Sequence, residues 1–182
     1  MWELVIKSFY LALPAYLANM SPVIFDKLGL FKSLAQPIDG GKKIGTEFIF
    51  GRSKTWRGLL SGAIFGVVVT WIQAGLYSVT FFKSLSLVDY PRHFIAFGLL
   101  AGLGAILGDL IKSFFKRRFN IKSGSSWPVF DQLDFIAGFF IATYYLVGFD
   151  VGVVVVVFLI TLILHPLTNL LAYQLGFKKV WW

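Results

Sequence analysis

The sequence predicts an all-α, polytopic membrane protein of five transmembrane helices. The N-terminus is expected outside and the C-terminus in the cytoplasm, with two long cytoplasmic loops. Three observations carry this expectation. Apolar residues make up 57% of the 182 and charged residues only 14%, where an ordinary soluble domain has about 25% charged. The chain contains several charge-free stretches of membrane-spanning length. Its basic residues fall almost entirely in two loops and the C-terminal tail. The same composition excludes a disordered chain, which needs low hydrophobicity and high charge. The absence of cysteine excludes disulfides, thiolate metal sites and cysteine nucleophiles.

The charge-free stretches run over 8–25, 58–82, 93–108, 135–149 and 151–177. A crossing helix needs roughly 20 residues, within a range of about 17–25. The first, second and fifth stretches reach that length. The third does so when extended through Asp109, and the fourth when begun near Val129, which brings Asp131 and Asp134 inside it. The expected spans are therefore about 5–25, 58–82, 93–111, 129–149 and 151–175, with loops about 26–57 and 112–128, in a single transmembrane domain 1–182. A β-barrel would require alternating strands, and the solid apolar run 153–160 has none. The apolar stretch of the N-terminus is long, and no small-residue cleavage site follows it.

Loop 26–57 holds seven basic residues, loop 112–128 five and the tail two, against three elsewhere. The positive-inside rule then puts the loops and the tail in the cytoplasm. Trp56, Tyr90, Trp127, Trp181 and Trp182 suit interfacial positions. Three small-residue pairs, Gly62/Gly66, Gly98/Gly102 and Gly104/Gly108, mark helix faces that allow close packing in lipid; ordinary glycine enrichment of membrane helices is the plainer reading.

The acids point to the chemistry. Asp109 closes the third span, and Asp131 and Asp134 open the fourth on one helix face. A carboxylate at membrane depth costs several kcal/mol unless paired or bound to a cation. Spans joined by a short loop are antiparallel neighbours, so the three acids can converge. Mg2+ suits such an all-oxygen set and commonly bridges to substrate phosphates. Taken singly, Asp131 could complement a helix dipole and Asp134 could pair with Lys116 or Arg117. The intervening basic run 108–122 also reads as a headgroup-binding cluster, although that leaves the acids unexplained. In the first loop, Gly51, Arg52, Lys54, Thr55, Arg57 and Gly58 precede span two. Glycine permits close backbone approach, and the cations and helix N-terminus suit a polyphosphate. A topology anchor is the alternative, since no Walker A pattern is present. His93 and His165 lack metal-ligand spacing, which argues against zinc, and His165-Pro166 reads as a helix kink, with Asn169 and Gln174 in the same span.

These pieces form a pattern. Pro37-Ile-Asp39-Gly40, Gly51-Arg-Ser-Lys54-Thr55-Trp-Arg57-Gly58, Gly108-Asp109-Leu-Ile-Lys112-Ser113-Phe-Phe-Lys116-Arg117-Arg118 and Asp131-Gln132-Leu-Asp134, in that order, resemble the archaeal CDP-archaeol synthase family from about Leu13 to Gly138. A more distant likeness, over Gly104–Gly138, is to phosphatidate cytidylyltransferases. There Ser113-Phe-Phe-Lys116-Arg117 matches, but Lys122 precedes Ser123 rather than Asp, the His-Gly-Gly element is missing, and Asp131-Gln-Leu-Asp134 replaces Asp-Arg-x-Asp.

The resemblance implies a Mg2+-dependent cytidylyltransferase at the cytoplasmic face of the cell membrane. It would join CTP to the phosphate of 2,3-bis-O-geranylgeranylglycerol 1-phosphate, a prenyl-ether lipid phosphate. Its partners would be these substrates and the bilayer, with no nucleic acid. Asp109, Asp131 and Asp134 would hold the metal. Lys116 and Arg117, with Lys122, would take lipid phosphate or pyrophosphate. Asp39, Gly40, Gly51, Lys54, Thr55, Arg57 and Gly58 would contact CTP, and Lys112 and Ser113 are further substrate contacts. The rival reading is a small transporter with acids on its path, although path acids belong near the midplane. The Asp-Gly-x2-Ala-Arg signature of CDP-alcohol phosphatidyltransferases is absent, and a membrane scaffold would leave the acid pattern unexplained.

Overall fold

The computed structural model describes residues 2–122, 124–178 and 180. Ser123, Trp181 and Trp182, named above, and Lys179, one of the two basic residues of the tail, lie outside the described residues. The described chain forms helices α1 (Trp2–Lys27), α2 (Trp56–Leu76), α3 (Thr80–Leu85), α4 (Tyr90–Arg118), α5 (Phe130–Val147) and α6 (Val151–Gln174). Between α1 and α2 lie a 3-10 turn, Lys32–Leu34, and a two-stranded hairpin of β1 (Lys43–Ile44) and β2 (Glu47–Phe48). In the hairpin Lys43 pairs with Phe48 and Ile44 with Glu47.

Among the described residues, α1, α2, α4 and α6 are long and apolar enough to cross a membrane. The 18-residue α5, which carries Asp131 in its first turn, is outside that set. Three further differences from the sequence reading have simple causes. α2 stops at Leu76 rather than continuing to 82, because 21 residues at 1.5 Å each already cover the roughly 30 Å hydrocarbon thickness. Phe81 and Phe82 belong to the separate α3. α4 continues to Arg118, so Lys112, Ser113, Lys116 and Arg117 are helical rather than in a loop; Lys112 and Lys116 fall at helical spacing and find partners on α5. Tyr90 is fully buried, not interfacial.

The helix ends are set locally. The Thr55 hydroxyl caps α2 by accepting from Gly58 N at 3.2 Å, and Asp150 caps α6 through Gly152 N at 2.7 Å. Pro91 opens α4 where its missing N–H costs nothing. Lys27 of α1 donates to the Leu175 and Gly176 carbonyls beyond α6 at 3.3 and 3.2 Å, satisfying acceptors that the helix itself leaves open.

α4 is the central element. In lipid, helices associate through close packing rather than through exclusion of apolar surface from water, and α4 has two glycine seams. Gly62 and Gly66 of α2 lie against Gly98 and Gly102, and a Cβ on Gly66 would come within 2.9 Å of Gly102 Cα. Gly138 of α5 lies against Gly104 and Gly108, where a Cβ would meet Gly108 Cα at 2.9 Å. Toward the other end of the bundle a chain of edge-on rings, Tyr10–Tyr90, Tyr90–Phe97 and Phe97–Phe139, links α1, α4 and α5 at centroid distances of 5.9, 5.8 and 6.1 Å. The glycine seams let antiparallel helices touch at backbone level midway along the bundle, and the second runs on from Gly108 to the charged residues Asp109, Lys112 and Asp134.

Candidate functional site

The loop between α1 and α2 is folded around one carboxylate. Asp39 is buried and accepts from Gly41 N at 2.9 Å, Phe50 N at 3.0 Å and Gly51 N at 3.4 Å. Burial raises its pKa, and the backbone donors outweigh burial, holding the carboxyl below the usual carboxylate range. Gly40, Gly41 and Gly51 all have positive φ, which lets the chain turn back on itself around Asp39. Ile38 N bonds to Lys54 O at 2.8 Å and Trp56 N to Gln36 O at 3.1 Å, closing the base of the loop. Arg118 of α4 donates to Phe48 O at 2.8 Å and ties the hairpin to the bundle. The loop thereby delivers Lys54 to Asp109 of α4, with which it forms an ion pair.

Asp109 opens a compact charged cluster. Asp109, Lys112 and Lys116 repeat at helical spacing on α4, and Asp131 and Asp134 do so on α5. Because Gly108 lets the Asp134 backbone approach closely, the two faces meet. The Lys112 ammonium stands 3.0 Å from Asp109, 2.9 Å from Asp131 and 2.8 Å from Asp134. Lys116 lies 3.0 Å from Asp131 and donates to the Ser125 carbonyl at 2.6 Å. Trp127 N donates to Asp131 at 2.6 Å. The cluster is mostly withdrawn from solvent, with side chains 12% exposed at Lys112 and 6% at Asp134. Three carboxylates so close and so largely withdrawn from water would repel one another strongly, and each has an ammonium partner, as charges taken out of water require.

The three acids thus converge, around an ammonium. Their oxygens stand at ammonium distances, longer than the about 2.0–2.1 Å of Mg2+ ligands, and among the described residues no group of three acids is drawn together at metal-binding spacing. The donor set itself fits a hard divalent cation. It is all oxygen, it converges on one cationic centre, and Asp134 Oδ2 is buried without a well-angled hydrogen bond despite its ion pair.

The other residues singled out by the sequence divide into two groups. Lys54, Asp109, Lys112, Lys116, Asp131 and Asp134 form the cluster. Arg117 is buried beside it on α4, and its Nε has no hydrogen-bond partner. Ser113 is buried on the same helix. Outside the cluster, Arg57 pairs with Asp26 and joins α2 to α1, Thr55 serves as a helix cap, Gly58 faces Pro22, which a Cβ at that position would meet at 3.5 Å, and Lys122 is exposed on the following loop. Asp134 pairs with Lys112 rather than with Lys116 or Arg117. The sequence reading missed the Arg57–Asp26 link, for which a long loop gives no spacing signal.

Two cavities flank the cluster. One of about 40 Å³, toward α1 and α2, is lined by Lys54, Thr55, Gly58, Ile106 and Asp109 among others. The second, about 210 Å³, lies beyond Asp131 toward α6.

The chain is similar to known proteins over its whole length. The family model described as CarS-like, CDP-archaeol synthase, matches residues 1–182. The CDP-archaeol synthase of Methanocaldococcus jannaschii is 35% identical over 182 residues, covering 100% of this chain and 99% of that protein. That of Methanosarcina barkeri is 38% identical, covering 93% and 99%. That of Pyrococcus furiosus is 37% identical, covering 98% of each. A solved structure, described as an intramembrane enzyme for archaeal membrane lipids biosynthesis, superposes with a TM-score of 0.73 at 28% identity, covering 91% of this chain and 94% of that one.

Proposed function

Since the chain belongs to the CarS-like CDP-archaeol synthase family, we propose that it transfers CMP from CTP to 2,3-bis-O-geranylgeranylglycerol 1-phosphate, releasing pyrophosphate, in the synthesis of archaeal membrane phospholipids. The observation that carries this reading is the convergence of Asp109, Asp131 and Asp134 with Lys54, Lys112 and Lys116 at one end of a membrane bundle. Five crossings, with this end at the cytoplasm as the basic loops require, belong to the same proposal, with α5 as the fourth crossing.

The reaction places two anions in contact. An oxygen of the lipid phosphate attacks the α-phosphorus of CTP, a new P–O bond forms, and the bond to the β-phosphate breaks. A phosphate monoester is mostly dianionic at pH 7, its second pKa being about 6, so the nucleophile needs no general base. What it needs is neutralised charge and in-line placement. Lys54 and Thr55 hold the CTP phosphates at the small cavity. Lys112 and Lys116 bridge to the reacting phosphates, and Arg117, with its open Nε donor, holds the lipid phosphate. Asp39, Gly40, Gly51, Arg57 and Gly58 act through the loop, keeping Lys54 in place. Asp109, Asp131 and Asp134 would hold Mg2+, which when bound would supply charge neutralisation on the nucleotide phosphates.

The test is incubation of purified protein and Mg2+ with each of the four nucleoside triphosphates and a prenyl-ether lipid phosphate, followed by mass analysis of the lipid. A CDP-lipid formed from CTP is expected. No nucleotidyl-lipid product, together with solute flux in nucleotide-free liposomes, would favour the transporter reading instead. The cluster lies at one end of the helices rather than midway, which gives that alternative no support.

A further inference from the structure

Pro14 lies inside α1. Proline has no N–H, so the carbonyl four residues back, that of Tyr10, loses its helical donor. The Gln73 side chain of α2 takes that place, its Nε2 donating to Tyr10 O at 2.7 Å. This bond fixes the amide and leaves Oε1 as an acceptor. Among the described residues no donor meets it. Gln73 is only 2% exposed, and a polar atom withdrawn from water without a partner is costly to hold.

Two further unpartnered groups lie beside this amide. Tyr10 and Tyr90 pack edge to face with centroids 5.9 Å apart, and neither phenol hydroxyl has a hydrogen-bond partner among the described residues. Both tyrosines are buried. The Gln73 side chain comes up to the Tyr90 hydroxyl without a well-directed hydrogen bond to it. Phe82 of α3 packs on the Tyr10 ring at 6.2 Å, and Leu85 and Val88 join the same core. Ser8 Oγ is also unpartnered, but it lies two residues from Tyr10 and so on another face of α1, where a serine can turn to a carbonyl of its own helix. The group is remote from the charged cluster. Tyr90 opens α4, and Asp109 follows about 28 Å along that helix at 1.5 Å per residue.

Polar groups that face one another outside bonding range are the case for a bridging water. A buried water typically makes about three hydrogen bonds to groups otherwise unsatisfied, and three groups converge here. One water meets the set by accepting from both phenol hydroxyls and donating to Gln73 Oε1. A cation fits less well, because no carboxylate belongs to the set. An apolar molecule would leave all three groups unpaired.

We infer that Tyr10, Gln73 and Tyr90 form a buried water-binding site that joins α1, α2 and α4 at the end of the bundle away from the charged cluster. The site is independent of the transfer reaction proposed above. It completes the hydrogen bonding around the backbone carbonyl that Pro14 leaves open, at a place where lipid supplies no partner.

Radiolytic footprinting tests the site. X-rays generate hydroxyl radicals from water where it sits, so a bound water labels the side chains that touch it even where bulk solvent has no access. The full chain is irradiated in detergent in water enriched in 18O, with oxidation read residue by residue by mass spectrometry. The readout requires neither nucleotide nor lipid phosphate. Phe139, fully buried in the same chain of rings, is the control. Tyr10 and Tyr90 are expected to be oxidised several-fold faster than Phe139, with 18O incorporated. In Gln73→Met, which keeps the side-chain length and removes the amide, labelling of both tyrosines is expected to fall to the Phe139 level. Tyr90→Phe gives the same readout at Tyr10 should Gln73→Met fail to fold. Labelling of the two tyrosines no faster than that of Phe139 in wild type, or unchanged labelling in folded Gln73→Met, would overturn the site. Oxidation of Leu85 and Val88 at a matching rate, the sign of bulk water entering from that end, would overturn it as well.

Discussion

α4 uses the same device on two sides with different results. Toward α2, Gly98 and Gly102 meet Gly62 and Gly66, and the residue nearest the contact is Thr70, whose neutral hydroxyl lies 2.7 Å from the Phe94 carbonyl of α4 and 2.9 and 3.0 Å from carbonyls of its own helix. Toward α5, Gly104 and Gly108 meet Gly138, and the residues nearest the contact are Asp109, Lys112 and Asp134. Both seams bring backbones together. Only the second places ionisable groups from two helices within ion-pair distance. Close packing supplies proximity in a membrane, and the residues one turn away decide whether that proximity is structural or chemical.

That contrast can be broken in graded ways. The largest effect is expected from neutralising a clustered acid. Asp109→Asn or Asp134→Asn should lower CDP-lipid formation at least a hundredfold, the scale seen when preorganised transition-state electrostatics are removed, with helical content by circular dichroism unchanged. Near-normal turnover would remove that acid from the machinery. Next come the seams themselves. Gly138→Leu and Gly66→Leu each insert a side chain where even a Cβ would overlap a carbonyl oxygen of α4, that of Gly104 and that of Gly98 respectively. Overpacking costs typically about 1–3 kcal/mol, so both should lower Tm in detergent. Only Gly138→Leu should also cut turnover per folded molecule, because it separates Asp134 from Lys112. Equal losses of turnover in the two variants would erase the distinction drawn here.

A smaller effect is expected from Lys54→Ala, which removes the link from the loop to Asp109. KM for CTP should rise roughly tenfold, about 1.4 kcal/mol, while lipid KM stays within twofold. The smallest concerns Asp39. Its carboxyl is held below the normal range by backbone donors, so the order it gives the loop is full above the unfolded pKa of about 3.9 and is lost as pH falls through the lower folded value. Hydrogen exchange at the Phe50 and Gly51 amides should be insensitive to protonation of Asp39 between about pH 5 and 8. In Asp39→Asn these amides should lose protection at neutral pH.

The helices were largely legible because charge-free runs of crossing length mark them, and the glycine pairs at Gly62/Gly66, Gly98/Gly102 and Gly104/Gly108 do form contacts. The ends were less legible. Lys112, Lys116 and Arg117 look like a loop when charge alone is read, yet each extends α4 because it lies beside α5 and the loops. Asp109, Asp131 and Asp134 were found by spacing, but that Lys112 is their common partner depends on the Gly108–Asp134 approach, which no single helix displays. Asp39 was singled out by its motif, but its three amide donors come from 2 to 12 residues further along the chain, a closure that only the folded loop reveals. His165 and Asn169 read as features of one helix until α5 brought Gln132 opposite them.

The central claim is that the charged cluster between α4 and α5 is where nucleotide and lipid phosphate react. The most direct measurement supplies CTP labelled at the α-phosphorus, with Mg2+ and prenyl-ether lipid phosphate, to wild-type protein and to Asp134→Asn. Label should pass into the lipid fraction with wild type and stay in nucleotide with the variant. Transfer at matched rates by both folded proteins would contradict the account.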